Sequence, residues 1–384
     1  MIMRFVIILL LSCLSIQQTT AQVSASLNGY ASNMQSVMFE DIDGQWISDN
    51  LVHNRINFAT YLGSYFTFKL EIRNRFMYGE TLKYFPAYAD LIDKDNGWQD
   101  LTWNLVNDTS FIINTSIDRL FLDFNLGRFQ LTLGRQRINW GMNYVWNPND
   151  IFNAYSFFDF DYVERPGSDA VRLQMYINST SGLELVGKLD QNNKWSLATL
   201  VRFNLIETDF QFMGGLLNED EYVIGTGFSG NLGPLSLSGE LTYLDPFKEN
   251  DPRSSAFIGG LGVGYNTPFK LFIQLEYLYN QASENSNISS FSDFYYRNLT
   301  VRDLSIAPHN FFANLSYPVT ALVKLGVSGM YFPKLNGLFV GPSLDLSLKN
   351  DLDLSFYIQH FEIDFSKNIE QKASLGFLRL KWSF

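Results

Sequence analysis

The sequence predicts an all-β fold: a transmembrane antiparallel up-and-down β-barrel of about eighteen strands, with sixteen strands as the alternative. Three observations support this prediction. Apolar and polar residues alternate with a period of two along most of the 384-residue chain. The connections between these alternating segments are short and long in turn. Aromatic residues make up 16% of the chain while its mean hydropathy is close to zero, as expected where lipid-facing and lumen-facing residues alternate.

The chain begins with a predicted secretory signal peptide over residues 1–21, followed by the barrel over residues 22–384. An apolar run over residues 5–14 follows a basic start, and a small residue, Ala21, precedes the expected cleavage site. The run is too short to span a bilayer as a stable helix. The only cysteine, Cys13, lies in this leader, where acylation as a lipoprotein is the less favoured alternative. The mature chain therefore has no disulfide framework.

The alternation is clear within single segments. Residues 66–73 read Phe-Thr-Phe-Lys-Leu-Glu-Ile-Arg, so every even position is apolar and every odd position is polar. A period of two indicates a strand with one apolar and one polar face. In order along the chain, the pattern predicts strands at residues 23–32, 51–62, 65–76, 116–126, 129–138, 169–178, 182–189, 194–204, 207–217, 221–230, 234–244, 255–265, 270–280, 310–317, 320–331, 336–347, 350–360 and 372–384.

Loop lengths separate a membrane barrel from a soluble β-sandwich, which would show the same period. Short turns are predicted at residues 63–64, 127–128, 179–181, 231–233, 266–268, 318–319 and 349–350. Long connections are predicted at residues 33–50, 77–115, 139–168, 245–254, 281–309 and 361–371. Short turns on one side and long loops on the other are typical of outer-membrane barrels, with the short turns periplasmic and the long loops extracellular. Such long loops are also hard to accommodate in a compact soluble domain.

The last predicted strand carries an additional signal. One of its faces is entirely apolar, with Leu378, Leu380, Trp382 and the terminal Phe384. A final strand that ends in Phe on the lipid face resembles the C-terminal sorting signal of bacterial outer-membrane barrels. Tyrosines near strand ends predict two interfacial girdles. They are Tyr30, Tyr65, Tyr176, Tyr222, Tyr243, Tyr265, Tyr279 and Tyr331.

The predicted inward faces carry basic side chains. Charged residues on a membrane strand are costly unless they face water or a partner, so they indicate a wet or salt-bridged lumen. We expect a basic wall that lines a pore. Its members are Lys69, Arg73, Arg75, Arg119, Arg172 and Arg202. The alternative is that these residues only form cross-strand ion pairs that brace the wall.

The even strand pattern stops near residue 138. Residues 139–168 are dense in aromatic and acidic side chains, which is unlike a solvated surface loop. Aromatic side chains that do not face lipid must pack elsewhere, so this stretch is predicted to fold into the lumen and narrow it, with its acidic residues towards the basic wall. The predicted constriction residues are Trp140, Trp146, Asp150, Asp159, Asp161 and Glu164. The alternative is a loop that only caps the extracellular mouth.

The start of this stretch also carries a resemblance. Residues 134–141 read Gly-Arg-Gln-Arg-Ile-Asn-Trp-Gly, and residues 147–150 read Asn-Pro-Asn-Asp. They resemble segments of porin-like outer-membrane barrels of Gram-negative bacteria. The Ala21-Gln22 start and the aromatic content are similar to outer-membrane proteins of the Bacteroidota, and the general layout is similar to the alginate-export and phosphate-selective porin families. A single bulge near Arg135 or Arg137 would decide which of the two faces the lumen.

Charge and composition restrict the function. Removal of residues 1–21 takes away one positive charge, Arg4, so the formal net charge changes from −11 to −12. Such an acidic chain offers no footprint for nucleic acid. His53, His309 and His360 are the only histidines, and nothing in the sequence joins them to a nucleophile. We therefore expect no enzyme, no cofactor and no metal site.

The predicted function is passive diffusion of small polar or anionic solutes across the outer membrane of a Gram-negative bacterium. Two alternatives remain at this stage. One is a closed barrel that serves as a structural or accessory subunit of an outer-membrane complex, and the other is a transporter of hydrophobic compounds. The expected partners are outer-membrane lipids, lipopolysaccharide and small solutes, with a homo-oligomer or a membrane-complex partner compatible with the sequence.

Overall fold

The alternating segments pair with their neighbours into a single closed sheet. The computed structural model describes residues 23–159, 162, 164–248, 251–285, 288, 290–295, 299–366 and 369–384. The predicted leader, residues 1–21, lies outside this part of the chain. The strands are β1 Val23–Phe39, β2 Ile47–Leu62, β3 Phe66–Gly79, β4 Thr102–Asn107, β5 Phe111–Leu126, β6 Phe129–Gln136, β7 Ser168–Tyr176, β8 Gly182–Leu189, β9 Trp195–Leu205, β10 Thr208–Leu217, β11 Glu221–Leu232, β12 Leu235–Pro246, β13 Ala256–Asn266, β14 Phe272–Asn280, β15 His309–Pro318, β16 Val323–Phe332, β17 Gly337–Lys349, β18 Leu352–Ser366 and β19 Ile369–Ser383.

The sheet closes because its last strand returns to its first. All pairings are antiparallel between neighbours in sequence, except that β3 pairs with β5, and β19 pairs with β1 with Tyr30 opposite Ser383. The extra strand β4 pairs only with the extracellular part of β5. Closure leaves no free edge in the wall, which a spanning sheet needs because lipid cannot hydrogen-bond to exposed main-chain groups. The prediction of an all-β barrel of about eighteen strands is confirmed.

The outward and inward faces follow the alternation through the middle of the wall. Leu378, Leu380, Trp382 and Phe384 are all exposed on the outside, where a membrane barrel meets lipid. The main chain of Phe384 pairs with that of Gly29, so the C-terminal residue is part of the closing seam. Tyr30, predicted in a girdle, instead points inward and is buried, with its ring edge-on to His53 at 5.2 Å.

Two predicted long loops are wrong, because the strands there continue beyond their predicted ends. β1 reaches Phe39 and β2 begins at Ile47, which leaves residues 40–46 instead of 33–50, and β18 and β19 occupy most of residues 361–371. In these strand tips the apolar residues lie on the inward face instead of the outward face. Phe361 and Ile363 on β18 point inward and are fully buried, while the intervening Glu362 forms an outward ion pair with Lys372 at 2.8 Å.

The described helices are short and lie in the long connections. α1 Thr81–Tyr84 and α2 Tyr88–Asp93 lie between β3 and β4, and α3 Phe291–Tyr295 lies between β14 and β15. Single 3₁₀ turns cover Gln281–Asn285, Val301–Asp303 and Pro333–Leu335. No helix in the described residues is long and apolar enough to cross a membrane.

Two of the long connections fold into the barrel. The lumen segment (residues 137–167) links β6 to β7, and the aromatic segment (residues 281–308) links β14 to β15. Buried residues of both segments belong to one apolar cluster with the inward side chains of the wall. The cluster members from the two segments are Ile138, Trp140, Val145, Trp146, Phe152, Phe294, Val301, Leu304, Ile306 and Ala307.

Candidate functional site

A glutamate on β12 binds the main chain of the lumen segment from the barrel wall. The carboxylate of Glu240 accepts hydrogen bonds from the N–H groups of Met142, Asn143 (2.9 Å) and Asn149 (2.7 Å). Glu240 is 4% exposed. A buried carboxylate is tolerated when several donors satisfy its oxygens, and three main-chain N–H groups do so here.

A second glutamate repeats this arrangement two strands further on. The carboxylate of Glu276 on β14 accepts hydrogen bonds from the consecutive N–H groups of Tyr144 (3.1 Å), Val145 (2.9 Å) and Trp146 (2.6 Å). We call Glu240 and Glu276 the glutamate cradle. Together they satisfy six N–H groups of the stretch 142–149, which forms no regular secondary structure that would satisfy them internally.

Arginines of the wall bind the opposite kind of main-chain group. Arg119 donates to the carbonyl oxygens of Glu164 (2.7 Å) and Arg165 (2.9 Å), and Arg202 donates to the carbonyl oxygen of Asn139 (3.2 Å). The two ends of the lumen segment are therefore held through carbonyls and its middle through N–H groups. Charged side chains of the wall thus position the lumen segment. At the residues named here they bind its main chain, so the position does not depend on which side chains the segment carries there.

The indole of Trp140 adds a side-chain anchor. Its Nε1–H donates to Glu184 on β8 at 2.6 Å, and Arg172 on β7 forms an ion pair with the same carboxylate at 2.7 Å. Trp140 is fully buried and meets Phe152 edge-on at 5.0 Å. A buried indole usually finds a hydrogen-bond partner in this way.

A β-bulge in β5 brings two opposite charges to the lumen side by side. Glu71 pairs with Arg119 and Ile72 pairs with Ile117, so Asp118 is the extra residue. A bulge lets two successive residues oppose one residue of the partner strand and re-aims their side chains. Both Asp118 and Arg119 are buried as a result.

The bulge completes a buried charge cluster below the mouth of the barrel. Arg55 on β2 is fully buried and forms ion pairs with Asp118 and with Glu71 (2.5 Å). The Tyr162 hydroxyl donates to Asp118 at 2.7 Å. The Arg73 guanidinium lies 3.6 Å from the centre of the Tyr162 ring. The cluster joins three strands to the lumen segment, and its charges are paired, as burial requires.

Phenylalanines join the two inward segments. The ring of Phe158 in the lumen segment packs edge-to-face with Phe339 and Phe361 of the wall at 5.1 Å each, and with Phe294 of the aromatic segment at 5.3 Å. Phe157 makes a similar contact with Phe312 at 5.1 Å. Edge-to-face contacts of this kind stabilise beyond simple area burial.

A cavity of about 550 Å³ opens between β1, β2, β3, the connection that carries α1 and α2, and the lumen segment. Four cationic and two anionic side chains line it. They are Arg73, Arg75, Lys94 and Arg165, with Asp49 and Asp159. The remaining lining includes apolar residues such as Met34 and Leu375. This volume lies in the range of sites for small molecules.

Two of the cavity arginines have no carboxylate partner within the described part of the chain. Arg75 donates to Asn114 Oδ1 (2.7 Å) and weakly to the Ile92 carbonyl oxygen (3.4 Å). The Arg165 guanidinium lies 3.0 Å from the centre of the Tyr155 ring. Guanidinium groups held by neutral partners keep their full charge available to an anion in the cavity.

Burial changes the titration of two groups of the lumen segment. Asp150 is 1% exposed, and this burial, assisted by the nearby Glu240 carboxylate, raises its pKa to about 7. Burial also raises the pKa of the Tyr162 phenol, against the lowering influence of Arg73. Tyr162 therefore stays a neutral hydroxyl donor at any ordinary pH.

The structure gives the predicted wall residues different roles. Arg73 and Arg75 line the cavity, whereas Arg119 and Arg202 bind the lumen segment and Arg172 pairs with Glu184. Lys69 lies over the Phe121 ring at 5.8 Å.

The predicted constriction residues divide as well. Trp140, Trp146 and Asp150 are buried in the lumen segment, and Asp159 lines the cavity. Glu164 accepts a hydrogen bond from Tyr30 at 3.2 Å. Asp161 lies outside the described residues.

Arg135 and Arg137 lie on different sides of the wall. Arg135 pairs with the outward Leu120 and is buried under the connection before β4, where it binds Asp95 (2.6 Å) and Asp169 (2.7 Å). Arg137 begins the lumen segment, and its charge acts on Asp150.

Sequence analysis did not predict the role of four residues that hold the segment. Glu240, Glu276, Arg55 and Asp118 look like ordinary inward positions of alternating strands, and only their partners far along the chain distinguish them. Their residue type was the one available signal, because a lone charge on a membrane strand needs a partner. In the described residues, no group of three or more His, Cys, Asp or Glu side chains could hold a metal ion.

No family profile and no curated protein matches this sequence. Solved structures do match. Acinetobacter baumannii OccAB4 superposes with a TM-score of 0.60 at 10% identity, over 96% of this chain and 99% of that one. Pseudomonas aeruginosa OccK11 (OpdR) gives 0.57 at 11% identity, over 94% and 96%, and Pseudomonas aeruginosa OprD gives 0.57 at 10% identity, over 95% and 97%.

These neighbours are outer-membrane porins, and at such low identity the likeness concerns the fold. The fold and the apolar exterior agree with the predicted location, and the chain is a multi-pass barrel of the outer membrane. The resemblance to Bacteroidota proteins and to the alginate-export and phosphate-selective families stays a prediction.

Proposed function

We propose that this barrel is a porin-like channel that passes small polar solutes and favours anions over cations. The observation that carries the proposal is the cavity, where four cationic side chains face two carboxylates in a chain with a formal net charge of −11. A cationic passage with low-dielectric walls concentrates anions locally. The expected surroundings are outer-membrane lipids and lipopolysaccharide, and the proposal includes no catalytic step.

Arg75 and Arg165 are the residues on which anion preference should depend most. Neither is paired with a carboxylate in the described residues, and both line the cavity. Guanidinium groups bind carboxylate and phosphate oxygens through paired donors. In the proposed channel this cavity is the passage beside the lumen segment, so a solute passes close to these two groups.

Single-channel conductance in a planar bilayer with a salt gradient tests the proposal. The wild-type barrel should give discrete openings with a reversal potential that indicates anion preference. The double variant R75Q/R165Q should shift that potential towards the cation side. The matched control K324Q removes a lysine at the short-turn end of β16, opposite Asp345, and should shift it less. A folded wild-type barrel that prefers cations would overturn the anion proposal.

The closed accessory barrel is the second candidate, because both inward segments occupy the lumen. A correctly folded barrel that never conducts would favour it over the channel. The transporter of hydrophobic compounds has less support. The phenylalanines pack against each other, and the neighbouring cavity of about 30 Å³ is far smaller than the roughly 300–1,000 Å³ of a small-molecule site.

A further inference from the structure

We propose that Glu240 and Glu276 are the positioning residues of the constriction, and that their two carboxylates provide the main polar anchors that keep the stretch 142–149 against the wall. This inference rests on the proposed channel function, because a constriction has meaning only where solutes pass. It names no residue that contacts a solute. The two glutamates act through the main chain that they hold.

The number of donors explains why these positions need carboxylates. Each glutamate accepts hydrogen bonds from three main-chain N–H groups, divided between its two carboxylate oxygens. An ionised carboxylate has about four acceptor sites and no donor. A glutamine of the same shape would direct its NH₂ group at one of these N–H groups, so that two donors would face each other. A glutamine at either position therefore keeps the shape of the glutamate but not its ability to accept all three hydrogen bonds.

The strand between the two glutamates is built to let the segment approach. Gly260 on β13 lies opposite Glu240, and Gly262 lies opposite Glu276. A Cβ atom added at Gly260 would lie 2.6 Å from Asn143 Nδ2 and 3.6 Å from the Trp146 carbonyl oxygen. A glycine inside a strand often marks a site where another backbone comes close. The glycine run of β13 and the flanking glutamates thus form one seat for residues 142–149.

The seat also offers a way to fix the segment covalently. A Cβ atom at residue 260 would lie 3.8 Å from Asn143 Cγ, the place of the sulfur in a cysteine at residue 143, so N143C/G260C brings the two thiols within reach of each other for a disulfide. The only natural cysteine is Cys13, in the predicted leader, so no other thiol should compete. Oxidation would hold the segment in its seat without the glutamates, and reduction would free it.

The test measures the segment and the current separately. Chymotrypsin cleavage after the aromatic residues of 144–158 reports release of the segment, and conductance reports the width of the passage. In E240Q/E276Q the released population should rise roughly tenfold or more, because a hydrogen bond to a charged acceptor is worth about that factor. Cleavage and conductance should both increase. The control D345N changes an inward carboxylate that binds Ser355 and Tyr357 and should leave both unchanged.

The disulfide in the E240Q/E276Q background separates release from misfolding. Oxidised protein should regain the low cleavage and conductance of the wild type, and reduced protein should lose them again. Wild-type cleavage in E240Q/E276Q would overturn the inference even if the barrel conducts. Increased cleavage in a barrel that never conducts would leave the inference in place and overturn the proposed channel.

Discussion

The two segments that enter the barrel are held there by different chemistry. The lumen segment (residues 137–167) is bound through its main chain by Glu240, Glu276 and Arg119. The aromatic segment (residues 281–308) is held by apolar packing, with Phe294 and Val301 among its buried residues, and by an ion pair of Arg302 with Glu221 on β11 at 2.7 Å. The main chain of the first segment depends on a few charges, each of which satisfies several groups. The second segment depends on many apolar contacts and on that ion pair.

The difference shows how each segment tolerates change. A polar anchor fails all at once, because removal of one partner leaves the other buried and unsatisfied. An apolar cluster loses stability in proportion to the volume removed. We expect single charge changes to move the lumen segment and single truncations to weaken the whole barrel.

Phe361→Ala tests the apolar side and should have the largest effect. Phe361 is fully buried and contacts Phe158 and Phe294, one from each segment. Truncation of a buried phenylalanine costs about 3–5 kcal/mol. The free energy of unfolding of the refolded barrel in urea measures it. F356A, on the outward face of the same strand, is the control, and an equal loss in both would contradict the role of the cluster.

Trp140→Phe tests one side-chain anchor of the polar side. The ring keeps its packing against Phe152, but the hydrogen bond to Glu184 is lost. A hydrogen bond to a charged group contributes about 1.5–3 kcal/mol. The same unfolding experiment applies. W146F is the matched control, because only the main-chain N–H of Trp146 binds Glu276, and a loss as large as that of W140F would show that ring size alone matters.

Asp150→Asn should have the opposite sign, a gain in stability, and the gain depends on pH. Burial raises the pKa of Asp150 from 3.8 to about 7, so the folded state binds this proton more tightly than the unfolded state. The free energy of unfolding of the wild type therefore decreases as pH rises from about 4 to about 7. The amide of the variant cannot ionise, so D150N should match the wild type near pH 4 and exceed it at pH 8. A difference on the order of 1.4 kcal/mol corresponds to each pKa unit.

Unfolding curves at the two pH values measure this gain. F361A should show the same loss relative to the wild type at both, because no titrating group is removed. A difference between D150N and the wild type that is the same at both pH values would contradict the buried, ionisable state of Asp150.

The wall of this barrel was predictable from its sequence, because lipid outside and polar groups inside impose a period of two on every spanning strand. The strand tips were not. Above the membrane, water lies outside and the aromatic segment lies inside, so the apolar face of β18 changes sides between Ile358 and Phe361. A method that follows one apolar face ends the strand there. Residues 33–39 of β1 were missed in the same way, with Met34 inward and Gln35 exposed.

Only the residues that the lumen segment contributes to the site were predictable from the sequence. Trp140, Trp146 and Asp150 stand in a stretch whose composition differs from that of a strand or a solvated loop, so the sequence indicated them. Glu240 and Glu276 carry no local signal beyond their residue type, since each is one polar residue in an alternating strand. Their significance comes from the pairing of distant positions, which a single sequence does not record. The bulge at Asp118 could not be predicted either, because nothing in residues 116–120 departs from strand composition.

The long sequence separations inside the barrel constrain the order of its assembly. Met142 and Glu240 are 98 residues apart, Tyr144 and Glu276 are 132 apart, and Phe158 and Gln359 are 201 apart. Contacts of such separation form late and slow a folding reaction. The lumen segment cannot find its partners until β12, β14 and β18 are in place, so it reaches its final position only after most of the wall has formed.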